Sequence, residues 1–100
     1  MAQNKVLPVG FRRFESKQVT VPADALEGEL SFSRLRISEY LIATNFGGED
    51  VYLSTVPNGE KLRIPANAGV PMQRNLPIKA STVYYEADGA TEFEIIGFQE

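Results

Sequence analysis

Turn-forming dipeptides recur along this chain about every ten residues, and between them apolar and polar side chains alternate one by one. A period of two marks strands with one buried face. No segment keeps the helical period of 3.6 over more than a turn. The clearest stretch is Tyr40–Ser54, YLIATNFGGEDVYLS. Tyr40, Ile42 and Thr44 alternate with Leu41, Ala43 and Asn45. Gly47-Gly48-Glu49-Asp50 then reverses the chain, and Val51 and Leu53 alternate with Tyr52 and Ser54. The expectation is a hairpin around which the other strands are arranged.

Taken in order, Lys17–Pro22 (KQVTVP) is alternating and β-branched, and Pro22 ends it as a strand. Ala23–Glu29 reads as a loop because Gly28 interrupts it. Leu30–Ser38 (LSFSRLRIS) puts Leu30 and Phe32 in one phase and Leu35 and Ile37 in the other, so a bulge near Ser33-Arg34 is expected. Arg34 and Arg36 then share a face, either simply solvated or an anion site. Asn58-Gly59 and Asp88-Gly89 are dipeptides of tight hairpins. Between them, Lys61–Pro65 is a short strand with Leu62 and Ile64 inward. Val70–Ile78 carries two prolines, which fits an edge or crossing segment. Thr82–Ala87 places Val83 and Tyr85 on one face, Tyr84 and Glu86 on the other. Thr91–Phe98 closes the chain with Phe93 and Ile95 inward and a bulge at Gly97. The predicted fold is all-β: an antiparallel β-sandwich or jelly-roll-like barrel of seven to eight short strands.

An extended N-terminal arm, residues 1–16, precedes the sandwich domain, residues 17–100. Its only apolar residues are scattered, and Pro8 and Gly10 interrupt it. Charge separates along the chain. Residues 1–17 carry Lys5, Arg12, Arg13 and Lys17 against Glu15, a balance of +3, whereas residues 18–100 balance at −6. The arm either frays, as terminal residues do, or orders against a neighbouring molecule. Phe11 and Phe14 speak against simple disorder, so Lys5, Phe11, Arg12, Arg13 and Phe14 are the candidate partner-binding residues. Tyr52 and Tyr84 are candidate surface contacts.

Absent residues narrow the chemistry. Without His or Cys, the Ser-His pair, the thiolate nucleophile and the usual zinc ligands are all missing. Glu49-Asp50 lacks calcium-loop spacing, and Glu92 and Glu94 read as a solvated strand face. No helix follows Asn58–Lys61 to make a phosphate loop. The acidic body repels nucleic acid, no run is long and apolar enough to cross a bilayer, and the first residues lack the apolar core of a secretion signal. No catalytic residue, cofactor or metal is expected, and the chain reads as non-enzymatic.

From Tyr40 to Phe98 one succession stands out. An apolar strand, Asn45, a Gly/Asp-rich turn and Val51-Tyr52-Leu53 come first. A short strand ending near Pro65 follows, then Ala66-Asn67-Ala68-Gly69. Pro77-Ile78 leads to Val83-Tyr84-Tyr85, and Gly89-Ala90-Thr91 precedes a final apolar strand. This pattern resembles the small β-sandwich proteins of tailed-bacteriophage virions, found as head decoration, fibre and tail modules; residues 1–38 lie outside the likeness. The resemblance implies a capsid decoration (cement) protein, made in the host cytoplasm, that binds major capsid protein subunits on the shell surface as a homo-oligomer, dimer or trimer. The alternative is a receptor- or carbohydrate-binding module of a tail or fibre that uses Tyr52, Tyr84 and the loops after Asn45 and Asn58.

Overall fold

The computed structural model describes residues 13–32, 40–67 and 70–99, and eight strands organise them. They are β1 Arg13–Val21, β2 Glu27–Ser31, β3 Tyr40–Asn45, β4 Val51–Ser54, β5 Leu62–Ile64, β6 Met72–Leu76, β7 Thr82–Ala87 and β8 Thr91–Gln99. The first sheet runs β1-β8-β3-β6 and the second β2-β7-β4-β5, with every neighbour antiparallel. Strand partners nest around a single apex: β4 with β5, β3 with β6, β2 with β7 and β1 with β8. The chain is one long hairpin that wraps so that its halves alternate between two sheets. This is the eight-stranded jelly roll.

The apex is not where the sequence pattern put it. β3 and β4 flank the 46–50 turn but lie in different sheets, so that turn is a crossing and not a hairpin. Asn45 explains the difference. It is fully buried, its Nδ2 donates to the carbonyls of Glu49 (2.8 Å) and Ile64 (3.1 Å), and its Oδ1 accepts from the Gly47 amide (3.0 Å) and the Thr91 hydroxyl (3.2 Å). One side chain thus fastens the 46–50 crossing to the ends of β5 and β8. Asp88-Gly89 likewise turns the chain from the second sheet into the first. The hairpin is the β4–β5 connection, in which Asn58 takes a positive φ of 59° and the Gly59 amide donates to the Val56 carbonyl at 3.1 Å. Its loop runs from Ser54 to Leu62, longer than a tight two-residue turn.

Between the sheets lies the apolar core. Leu41 and Ala43 of β3, Val51 and Leu53 of β4, Val83 and Ala87 of β7 and Phe93 and Ile95 of β8 alternate inward, and Val21, Ile64 and Leu76 join them. Full burial of a side chain this large is worth about 1.5–3 kcal/mol. Ile64 is buried as expected, but Leu62 stays 39% exposed and lines, with Leu41, Leu53, Leu76 and Val83, a mostly apolar cavity of about 550 Å³. β6, bracketed by Pro71 and Pro77, is an edge strand.

Three further expectations change. The register of β8 against both neighbours runs unbroken through Gly97, so no bulge sits there. Residues 27–29 are strand, not loop. Gly28 is tolerated in β2 because its cross-strand partner Tyr85 fills the space a side chain would take: a Cβ at Gly28 would lie 2.4 Å from the Tyr85 hydroxyl oxygen. That position sets the Tyr85 ring edge-on to Phe93, centroids 5.1 Å apart. Finally, Arg13, Phe14, Glu15 and Ser16 belong to β1 and pair with Gln99, Phe98, Gly97 and Ile96. The body therefore begins at least four residues before Lys17. The bulge near Ser33-Arg34 and the face shared by Arg34 and Arg36 lie outside the described residues.

Candidate functional site

Alternation in β4 and β7 sends Tyr52, Ser54, Tyr84 and Glu86 away from the core, and the register sets Tyr52 opposite Glu86 and Ser54 opposite Tyr84. Tyr52 and Tyr84 are therefore diagonal neighbours on the outer face of the second sheet. β2 adds Glu29 opposite Tyr84 and Glu27 opposite Glu86. The β4–β5 loop rises beside them with Pro57, Asn58 and Lys61. Together they line an open groove of about 280 Å³. The structure thus joins Tyr52, Tyr84 and the Asn58 loop; the loop after Asn45 is not part of this groove.

Three glutamates face one lysine here, and that lysine is engaged. Lys61 Nζ sits 2.5 Å from Glu86 Oε1. The hydrogen bond and charge of Glu86 hold the Lys61 ammonium pKa above its ordinary value. The Tyr52 hydroxyl donates to Asp88 Oδ2 at 3.0 Å, and this bond pushes the phenol pKa up. Asp50 accepts from the Ala66 amide (2.8 Å) and from Arg63 Nε (2.7 Å), which lowers its pKa, the backbone bond first. Of these contacts, those of Lys61 and Tyr52 involve side chains that line the groove. The groove offers aromatic surface and excess carboxylate, suited to hydroxyl-rich or cationic ligands. Among the described residues, no group of three or more acidic side chains is arranged to hold a metal ion.

Of the candidate arm residues, Arg13 and Phe14 stand in β1, while Lys5, Phe11 and Arg12 lie outside the described residues. Phe14 faces outward on the first sheet and is 39% exposed. It forms a row with Phe98 and Tyr40, each ring 6.2 Å from that of Phe98. Ile96 and Ile42 extend this apolar row one rung along, opposite Ser16, and Phe98 and Ile96 are themselves buried. The sequence reading missed this patch. Its signal was the run Ile95-Ile96, which breaks alternation and makes both faces of β8 apolar.

No protein-family model, curated protein or solved structure matches this chain.

Proposed function

We propose that the protein is a non-enzymatic structural component of a tailed-phage virion, a capsid decoration (cement) protein that binds major capsid subunits. The observation that carries this reading is the separation of charge and surface on the fold. The chain enters the sandwich through edge strand β1, beside the exposed Phe14. The outer face of the second sheet carries Glu27, Glu29 and Glu86. A basic segment with aromatic anchors can lie on a neighbouring subunit, and a compact acidic body can hold it there. An extended segment gains backbone hydrogen bonds by adding to a sheet edge. Many weak copies on a symmetric shell then bind strongly through avidity. By fold-level analogy, jelly rolls serve as viral shell proteins and as lectins.

The experiment is co-sedimentation of the purified chain with expanded phage capsids. Saturable binding, at a fixed number of copies per capsid, supports a decoration role. Absence of the protein from the capsid pellet across a concentration series counts against it. The second reading, a carbohydrate- or receptor-binding module, is favoured by the convergence of Tyr52, Tyr84 and Asn58 in one groove. A glycan array separates the two: binding that Tyr84→Ala abolishes, without capsid binding, supports the second.

A further inference from the structure

The Phe46 amide donates to the Glu92 carbonyl at 2.9 Å, so the Glu92 backbone faces β3. In an antiparallel ladder each residue turns both of its backbone groups to one side, and the side alternates. Even-numbered residues of β8 therefore bond β3, and odd-numbered ones bond β1. Their β1 partners are Arg13, Glu15, Lys17, Val19 and Val21. Among the described residues β1 is an edge strand, the backbone groups of Phe14, Ser16, Gln18 and Thr20 point out of the sheet there, and all four residues are exposed. β1 contains no proline and no bulge along its nine residues. A strand edge of this length is a template for another strand.

Its charges select the register. Glu15 and Lys17 share the face of β1 that carries Val19 and Val21, and they contact each other at 3.3 Å. If a second β1 pairs antiparallel about a two-fold axis at Lys17, two lysines stand directly opposite. An axis at Glu15 opposes two glutamates. An axis at Ser16 sets Glu15 of each copy opposite Lys17 of the other. It also makes Ser16 its own partner and joins Phe14 to Gln18, and all of these have outward backbones able to exchange hydrogen bonds. Opposite charges directly across a ladder stabilise it, and like charges destabilise it. An axis at Gln18 places Lys17 against Val19, with no such gain.

We infer that β1 is a self-association edge, pairing with β1 of a second copy about a two-fold axis at Ser16 and joining two first sheets into one of eight strands. The inference concerns the body and stands apart from the capsid proposal. Pairing through one edge buries little surface, so the dimer is weak in dilute solution and favoured where copies are concentrated.

Sedimentation equilibrium and cysteine cross-linking test this. The chain lacks cysteine, so Ser16→Cys supplies a single thiol, and directly opposed strand residues lie within disulfide reach. With diamide as oxidant, Ser16→Cys is expected to cross-link far faster than Gln18→Cys or Phe14→Cys alone, while a mixture of the last two cross-links with each other. Lys17→Glu is expected to raise the dimer Kd about tenfold or more, as is Glu15→Lys, yet the two variants mixed form a heterodimer. A monomer at every concentration up to the millimolar range overturns the inference. So does faster cross-linking at Gln18.

Discussion

Replacing Asn45 with alanine removes four hydrogen bonds from the point where three connections meet. The bonds to the Ile64 carbonyl and from the Thr91 hydroxyl are buried, while those involving Glu49 and Gly47 are partly so. A buried group left without its partner costs about 1–3 kcal/mol, and a typical net bond is worth about 0.5–1.5 kcal/mol. Two of each kind sum to about 3–9 kcal/mol, and compensating water at the partly buried pair brings the loss to about 2–6 kcal/mol. That is a large share of the roughly 5–15 kcal/mol a domain has. Urea denaturation followed by circular dichroism measures it. With a slope of about 1–1.5 kcal/mol/M for a chain this size, the midpoint should fall by about 1–6 M, or the variant should fail to fold. Asn75→Ala on the outer face of edge strand β6 is the control and should move it little. Asn45→Asp is the sharper companion: its carboxylate would face two carbonyl oxygens with no proton to donate. Burial would raise that acid's pKa, so the variant's deficit should be largest at neutral pH and shrink on acidification as the group gains a proton. A loss below about 1 kcal/mol for Asn45→Ala, the average for any substitution, would refute the role assigned to this side chain.

Gly28→Ala should destabilise by about 1–3 kcal/mol, because the new Cβ displaces Tyr85 from Phe93; the same change in an open strand would stabilise, so the sign of the urea midpoint shift decides. Asp50 has a lowered pKa, so its contribution is present above the ordinary carboxylate pKa and is lost as pH falls through the lowered value. Wild type should therefore lose more stability than Asp50→Asn between neutral pH and about pH 3, and equal losses would remove Asp50 from the account. Phe93→Ala should cost about 3–5 kcal/mol, read by thermal unfolding, and a smaller cost would mean the core closes over the gap.

Strand existence was legible because buried and exposed positions alternate. β3, β4 and β7 begin and end where Tyr40–Asn45, Val51–Ser54 and Thr82–Ala87 put them. Sheet membership was not legible. A turn dipeptide specifies that the chain reverses, not which sheet the outgoing strand joins. Gly47-Gly48 and Asp88-Gly89 cross between sheets, and of these three turns only the Asn58 loop makes a hairpin. The deciding bonds, from Asn45 to Ile64 and Thr91, span 19 and 46 residues, beyond the range of local patterns. Gly28 misled for a similar reason, since the residue that supports it is Tyr85, far along the chain. Alternation did place Tyr52 and Tyr84 outward, but their shared groove depends on β4 and β7 being neighbours. The extent of β1 was hidden because Arg13–Ser16 mixes charge and Phe14, a pattern that reads as a tail until Phe98 and Ile96 are placed beside it.

The most direct measurement compares full-length protein with a chain begun at Arg13, both mixed with expanded capsids. Beginning at Arg13 keeps all of β1, whereas beginning at Lys17 would strip four paired residues from the sheet. The shortened chain should unfold at nearly the same urea concentration as the full one yet stay in the supernatant when capsids are pelleted. If it pellets as completely as the full-length protein, residues 1–12 do not do the gripping and the proposed division between anchoring arm and folded body is wrong.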